Sequence, residues 1–262
     1  MTKLYKYYTF NQTKLNVTMK FIPNTLILKK NLKNLYESNI DTLTKYKSNI
    51  NIGGDHSMAI GSVCSTLNIY GPNIKVIWID AHADINTRSS SSSGNVHGMP
   101  LSFITGLDKS VDYDFIKNTL PLSNLCYIGI RDLDMEEINI INKFNIKKIL
   151  SEDFNSNTDN VISDLINWIG PNTNTPVHLS FDVDSLDPKY IQCTGTKSPN
   201  GLELSNIIKF LTIICKKNNI VNVDISELNL YEQDYTNKHY SIEKVKSLNN
   251  FKLLLQTIYS NI

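Results

Sequence analysis

The chain has 262 residues, of which 41% are hydrophobic and 19% charged, and its 26 Lys and Arg residues balance 25 Asp and Glu residues. This length is enough to bury a substantial core in one large domain. A formal net charge of +1 provides no field that attracts polyanions, so we expect neither nucleic acid nor a membrane surface as a partner.

The apolar runs predict the fold class. Short runs that end in polar or glycine-rich turns alternate with segments of helical spacing. The predicted strands are 50–52, Lys75–Ile79, Leu125–Ile130, 146–150, 177–181 and 221–225. The predicted helices are 58–67, 112–118, 135–144, 159–169, 204–215 and 242–259. Because several strands are apolar throughout, we expect an α/β fold with three αβα layers around a doubly wound, mostly parallel sheet.

The cysteines and the hydropathy pattern bear on the compartment. The four cysteines, at positions 64, 126, 193 and 215, include no CxxC pair. This spacing argues against a disulfide framework and a cysteine zinc site, and it favours a reducing compartment such as the cytoplasm. We see no secretory signal and no run of 18 apolar residues that would predict a membrane-spanning helix.

Polar clusters follow five of the predicted strands: GGDHS, DAHAD, RDLD, DVDSLDP and SELN. Ligands of doubly wound folds bind beyond the carboxyl ends of the strands, so we expect these clusters to meet at one edge of the sheet. The i, i+2, i+4 spacing in DAHAD directs three side chains the same way on an extended backbone, and DVD repeats that spacing. The resulting candidate ligands are His56, Asp80, His82, Asp84, Asp182 and Asp184.

The charge of this cluster indicates the metal. Four carboxylates carry about −4, and like charges about 4 Å apart repel by about 4 kcal/mol per pair at an effective dielectric of about 20. Six ligands exceed the needs of one tetrahedral zinc ion, whereas oxygen-rich ligation with two imidazoles suits two divalent ions such as Mn²⁺. Two such ions would acidify a bridging water. Taken alone, DxHxD is also typical of a capped turn with a solvated histidine.

Six blocks in this sequence resemble the ureohydrolases, the arginase and agmatinase family. They are GGDHSMAIGS (53–62), VIWIDAHADINT (76–87), SGNVHGMP (93–100), YIGIRDLD (127–134), LSFDVDSLDP (179–188) and TGT (194–196). The resemblance extends from about residue 52 to residue 227. It implies an arginase-like fold with two Mn²⁺ ions, in which a metal-bridging hydroxide hydrolyses L-arginine to L-ornithine and urea.

The resemblance also implies a role for each site residue. One manganese ion would take His56, Asp80, Asp84 and Asp182, and the other would take His82, Asp80, Asp182 and Asp184. The catalytic residues would be His97, which handles the proton, Asp84, and Glu227, which accepts the substrate guanidinium. Without the resemblance, Glu227 would be an ordinary acid at the end of a strand.

Substrate choice depends on how the amino-acid end is held. The resemblance implies that the α-carboxylate is surrounded by Asn86, Ser91, Ser93 and Asn95, that Asp134 and Glu137 recognise the α-amino group, and that Thr196 lines the guanidinium end. Agmatine lacks the carboxylate and would leave donors unpaired, so we expect a preference for arginine. The alternatives are an agmatinase or other guanidino-acid ureohydrolase, and a catalytically impaired arginine-binding homologue.

The N-terminal region departs from the family pattern. Only 52 residues precede Gly53, so residues 1–48 are expected to be a divergent segment of one catalytic domain spanning 1–262. The first strand is expected within 15–28, unless that sheet edge is trimmed. Lys197, Asn200 and Leu230 stand where the family usually has proline, glycine and proline. Family members are commonly trimers or hexamers, so we expect a homo-oligomer.

Overall fold

The computed structural model describes residues 4–10, 20–23, 28–170, 174–230 and 238–262. Within these ranges, eight strands form one sheet in the order β2-β1-β3-β8-β7-β4-β5-β6. The strands are β1 (Leu4–Phe10), β2 (Lys20–Pro23), β3 (Asn49–Ile52), β4 (Lys75–Ile79), β5 (Leu125–Ile130), β6 (Lys147–Leu150), β7 (Pro176–Asp182) and β8 (Asn219–Ser226). The helices are α1 (Leu28–Lys45), α2 (Ala59–Tyr70), α3 (Pro100–Ile104), α4 (Met135–Lys143), α5 (Ser151–Ser156), α6 (Thr158–Ile169), α7 (Leu204–Lys217) and α8 (Lys238–Tyr259).

The strands from β3 to β6 in this order pair in parallel, whereas β1 pairs antiparallel with both β2 and β3. A hydrophobic cluster lies on each face of the sheet. One contains Phe210 of α7 and Leu254 of α8, and the other contains Leu32 of α1 and Leu67 of α2. The three-layer, mostly parallel fold predicted from the apolar runs is confirmed. None of the helices in the described ranges combines the length and hydropathy needed to cross a membrane.

All six predicted strands are present, and two of them, β4 and β5, have the predicted bounds. The helix predicted at 112–118 is wrong, because this stretch contains turns and no helix. Its two aromatic side chains, Tyr113 and Phe115, are buried, and the Tyr113 ring packs edge-on against Phe103 with ring centroids 5.3 Å apart. The apolar residues of this segment therefore anchor a loop rather than one face of a helix.

The N-terminal sheet edge differs from the expectation. The strand that pairs with β3 is β1, which precedes the 15–28 region in which a first strand was expected. The second strand, β2, lies in that region and extends the edge by one more antiparallel pairing. A strand is therefore present within 15–28, but it is the second strand and not the first, and the sheet edge is not trimmed.

A buried polar layer joins α1 to the centre of the sheet. Asn39 of α1 accepts hydrogen bonds from Asn49 and Asn51 of β3, at 2.8 and 3.0 Å, and from Asn222 of β8 at 3.0 Å. All four carboxamides are at most 1% exposed. Since buried polar groups require hydrogen-bond partners, this network fixes the position of α1 on the sheet. Polar residues at buried positions also mask the helical hydrophobic period, and α1 was not predicted.

We predict that Gly61→Ala destabilises the fold by about 2 kcal/mol, because a methyl group there overpacks the contact between α1 and α2. A Cβ at Gly61 would lie 2.5 Å from the Leu32 carbonyl oxygen and 3.3 Å from the Tyr36 nitrogen, and neither backbone atom can move freely. The overpacking exceeds the gain of about 1 kcal/mol in helix propensity. Denaturant unfolding measures the difference. Gly98→Ala, where a Cβ meets nothing within 4 Å, is the control; equal stability of the two variants would contradict the prediction.

Candidate metal centre

The carboxyl ends of the central strands bring six candidate ligands together. A short turn after β3 begins at His56, the DAHAD motif follows β4, and DVD spans the end of β7. Because β3, β8, β7 and β4 are neighbours in a parallel arrangement, these ends lie at the same edge of the sheet. Five of the six side chains are buried, and that of His82 is partly exposed. The buried ones are His56, Asp80, Asp84, Asp182 and Asp184.

The His56 imidazole faces three carboxylates. Its Nδ1 lies 2.9 Å from Asp80 Oδ2, 3.1 Å from Asp84 Oδ2 and 3.3 Å from Asp182 Oδ2. Its Nε2 lies 2.8 Å from the Ser180 hydroxyl oxygen, and its ring stacks on Trp78 with centroids 4.0 Å apart. The ring is therefore held on two sides with Nδ1 directed at the carboxylates.

The His82 imidazole forms a second group with the same central carboxylate. Its Nδ1 lies 3.4 Å from Asp80 Oδ1 and 3.3 Å from Asp184 Oδ2, while its Nε2 is 3.7 Å from Asp132 Oδ2. Asp80 thus directs one oxygen at each imidazole. This is the arrangement expected of a carboxylate that bridges two metal ions.

The donor atoms fit two divalent ions. His56, Asp80 and Asp84 form one group and Asp80, His82 and Asp184 another, and in each group the possible ligand atoms lie within 4.8 Å of one another. The buried Nδ1 of His56 has no hydrogen-bond partner in the described part of the chain, although three carboxylate oxygens surround it. A nitrogen that faces oxygens without bonding geometry is suited to share a cation with them. Asp182 directs Oδ2 at His56 Nδ1, while its Oδ1 accepts a hydrogen bond from the Asp184 backbone N–H at 2.8 Å.

The pKa values of the four aspartates reflect how closely their carboxylates are crowded together. Burial, followed by repulsion from Asp80, raises the pKa of Asp84 to about 7 and that of Asp184 to about 6. Burial and the neighbouring Asp184 and Asp80 also raise the pKa of Asp182 well above its usual range. For Asp80, burial is outweighed by the two imidazoles, which hold its pKa below the usual range. The cluster thus requires protons or cations to offset its charge.

The next residues above this cluster are Glu227 and His97. Glu227, in the left-handed conformation with φ of 64° after β8, accepts a hydrogen bond from the His56 backbone N–H at 2.8 Å through Oε1. The same oxygen lies 3.4 Å from Nδ1 of the half-buried His97. This contact with Glu227 raises the pKa of His97. A carboxylate and an imidazole are therefore paired beside the candidate metal ligands.

A second connected group lies at the N-terminus of α4. Asp134 caps this helix by accepting from the Glu137 backbone N–H at 3.0 Å, and Glu137 accepts in return from the Asp134 N–H at 3.2 Å. The carboxamide of Asn86 donates to Asp134 Oδ2 at 2.6 Å. Burial, followed by the nearby Asp84 charge, raises the pKa of Glu137 to about 7. Three of the predicted substrate residues are thus in one hydrogen-bonded group.

The remaining predicted substrate residues lie on more open loops. Ser93 and Asn95 are exposed, and the Ser93 hydroxyl accepts from the Asn95 N–H at 3.2 Å. Ser91 is half-buried and accepts from the Gly94 N–H at 3.1 Å. Thr196 is exposed and makes no hydrogen bond to Glu227 in the part of the chain that the structure describes. Its loop nevertheless passes close, because a Cβ at Gly195 would lie 4.0 Å from Glu227 Oε2.

Sequence reasoning did not identify Arg131 as a structural residue of this site. Its guanidinium donates to the carbonyl oxygens of Asp184 at 2.9 Å, Ser185 at 3.1 Å and Ser198 at 2.8 Å. An arginine between acidic residues suggests ion pairing, whereas these contacts are to backbone oxygens. Arg131 thus ties the end of β5 to the turn that carries Asp184.

Comparisons with known proteins agree with this arrangement. A sequence model of the Arginase family matches residues 4–239. The arginase of Plasmodium berghei is 39% identical over 213 residues, which are 79% of this chain and 60% of that protein. The arginase of Neurospora crassa is 40% identical over 190 residues, which are 69% of this chain and 52% of that protein. The chain therefore spans half to three fifths of the length of these two relatives.

Solved structures show the same fold. The crystal structure of Entamoeba histolytica arginase in complex with L-ornithine superposes with a TM-score of 0.80 at 29% identity, covering 90% of this chain and 78% of that chain. Arginase from Bacillus cereus gives a TM-score of 0.80 at 25% identity, covering 92% of this chain and 80% of that chain. From the sequence match over most of its length and the shared fold, the chain belongs to the arginase family.

Proposed function

We propose that this protein hydrolyses L-arginine to L-ornithine and urea with two Mn²⁺ ions. The observation that carries the proposal is the pair of imidazole–carboxylate groups that share Asp80, with Glu227 bonded to the His56 backbone and paired with His97. This combination suits hydrolysis because it unites metal ligands, an acceptor for a cationic substrate and a proton-transfer group. The arginases among its relatives support the same reaction.

The residues divide between the two ions as the family resemblance implies. His56, Asp80, Asp84 and Asp182 would hold one, and His82, Asp80, Asp182 and Asp184 the other. Oxygen-rich ligation with two imidazoles supports manganese. When bound, the two ions supply a positively charged centre that acidifies a water molecule for attack on the guanidinium carbon. Asp84 belongs to the catalytic set that the family resemblance implies, and its position 3.1 Å from His56 Nδ1 supports that role.

The acidic surroundings favour a cationic substrate. Glu227 accepts the guanidinium, whose planar N–H groups match a carboxylate, and Thr196 contributes at the same end. At the other end, Asp134 and Glu137 attract the α-amino group. The α-carboxylate is bound by the carboxamides and hydroxyls of the preceding loop, namely Asn86, Ser91, Ser93 and Asn95. The separation of acids and neutral donors supports a substrate with both an amino group and a carboxylate.

His97 handles the proton of the reaction. When the carbon–nitrogen bond of the tetrahedral intermediate breaks, the departing ornithine amine must gain a proton. His97 supplies it, because the pKa of His97 is raised by Glu227 and a larger fraction of its imidazole is therefore protonated near neutral pH. Glu227 thereby acts both on the substrate guanidinium and on His97, the general acid.

The family resemblance supports an oligomeric assembly, and the cysteines bear on the compartment. We infer that the chain acts as a single catalytic domain within a homotrimer or homohexamer. All four cysteines are free and buried, which supports a reducing compartment such as the cytoplasm.

We predict that protein loaded with Mn²⁺ releases urea from L-arginine at a kcat/KM at least about 100-fold above that for agmatine or 4-guanidinobutyrate, since each of these lacks one of the two polar groups. A colorimetric urea assay on the three substrates measures this. Faster release from agmatine would indicate an agmatinase. No urea from any of them, with two metal ions bound per chain, would overturn the proposed function.

We predict that Asp182→Ala removes metal and activity together. Asp182 is buried and lies 3.3 Å from His56 Nδ1, so its loss deprives the cluster of a ligand. Bound manganese, measured by elemental analysis after dialysis, should fall below two ions per chain, and kcat should fall at least about 100-fold. Asp159→Ala is the matched control, because that carboxylate lies on α6 and is 78% exposed. Full metal content in Asp182→Ala would contradict the ligand assignment.

We predict that Asp134→Asn raises KM for L-arginine about tenfold and leaves KM for 4-guanidinobutyrate unchanged, because 4-guanidinobutyrate has no α-amino group to attract. Asparagine caps a helix as well as aspartate does, so α4 should remain intact. Steady-state kinetics on both substrates measure the difference, and Asp153→Asn on α5 is the control. An equal change for both substrates would show that Asp134 does not recognise the amino group.

A further inference from the structure

The serine tract 89–93 contains one hydroxyl that is fixed by several hydrogen bonds. Ser90 Oγ donates to Asn86 Oδ1 at 2.7 Å and accepts from the Thr87 backbone N–H at 2.9 Å. The Thr87 hydroxyl also donates to it at 3.1 Å. In contrast, among the described residues the hydroxyls of Ser91 and Ser93 accept only from the N–H groups of their own turns. Ser90 therefore has a defined orientation toward Asn86.

This contact determines which end of the Asn86 carboxamide faces the site. With Oδ1 accepting from Ser90, Nδ2 points to Asp134, to which it donates at 2.6 Å. A carboxamide nitrogen carries two hydrogens, and the Asp134 contact uses one of them. The reversed carboxamide would direct its oxygen at the Asp134 carboxylate and at any carboxylate ligand, and both contacts would be repulsive.

The same contacts link the two ends that recognise an amino acid. Ser90, Asn86 and Asp134 form a continuous chain of hydrogen bonds, which reaches Glu137 through the cap of α4. Asn86 is only 7% exposed, so loss of one partner leaves its oxygen without compensation from bulk water. A change at Ser90 therefore affects the orientation of the Asn86 carboxamide and leaves the carboxylates of Asp134 and Glu137 in place.

We propose that Ser90 is a positioning residue for substrate discrimination: it holds Asn86 with an N–H directed at the α-carboxylate of the amino-acid substrate. The inference rests on the proposed function and extends it to a residue that does not touch the substrate. Its hydroxyl favours substrates that have an α-carboxylate over decarboxylated amines such as agmatine. The residues at the reacting end of the site, His56, His97 and Glu227, take no part in this discrimination.

Three variants test the proposal against a purely structural role. In Ser90→Ala the hydroxyl is lost, and KM for L-arginine should rise about tenfold while kcat and the kinetics with agmatine change less than about twofold. Ser90→Thr keeps the hydroxyl and should restore KM. Ser89→Ala removes a hydroxyl of the same tract that lies 2.9 Å from the Thr87 hydroxyl oxygen and makes no hydrogen bond to Ser90 Oγ or Asn86 in the described part of the chain. It should have little effect on KM.

Two outcomes would overturn the inference. One is an equal rise in KM for agmatine, and the other is an equal effect of Ser89→Ala, since each would mean that Ser90 only maintains the loop. Binding of L-arginine to the Mn²⁺-loaded protein by calorimetry keeps the test independent of turnover. If the wild type binds L-arginine without releasing urea, the proposed function fails, while a tenfold weaker affinity of Ser90→Ala would still support the positioning role.

Discussion

Repulsion among four buried carboxylates is the constraint on which this structure depends. Asp80, Asp84, Asp182 and Asp184 share one edge of the sheet, and the pKa values of the last three are raised by burial and by neighbouring carboxylates. Backbone groups hold them in spite of this. The His82 N–H donates to Asp80 at 2.8 Å and the Asp184 N–H donates to Asp182 at 2.8 Å. The fold thus presents a charge that a pair of cations would neutralise.

The rigidity of the sheet makes such crowding possible. The strands that carry the ligands are buried on both faces, so their ends cannot separate to relieve the repulsion. Arg131 adds a clamp, because it donates to carbonyl oxygens of the turn after β7 and of the 198–199 loop. Its positive charge lies beside the cluster without neutralising any ligand directly. Packing and hydrogen bonds therefore supply the energy that opposes the electrostatic cost.

The sequence predicted those features that depend on local patterns. The central strands are recognisable as apolar runs, and the motifs after them locate the candidate ligands, because strand ends of a parallel sheet coincide in space. Features determined by tertiary contacts were missed. The α1 helix buries Asn31 and Asn39, which obscures its period, and the 112–118 segment packs its aromatic residues as a loop. The role of Arg131 depends on carbonyl oxygens that only folding brings together, and the role of Ser90 depends on the long-range contact between Asn86 and Asp134.

The buried polar layer extends the site into the core. The face of β7 and β8 toward α2 carries His178, which lies 3.0 Å from Asp224, and Ser180, which lies 2.8 Å from His56 Nε2. Since Nδ1 of His56 faces the carboxylates, it can act as a metal ligand only if the proton is on Nε2. In that tautomer the Nε2–H donates to the Ser180 oxygen, which helps to hold the ring with Nδ1 toward the carboxylates. Ser180 thus gives this part of the sheet a polar contact with the site, although the same face also packs an apolar cluster against α1 and α2.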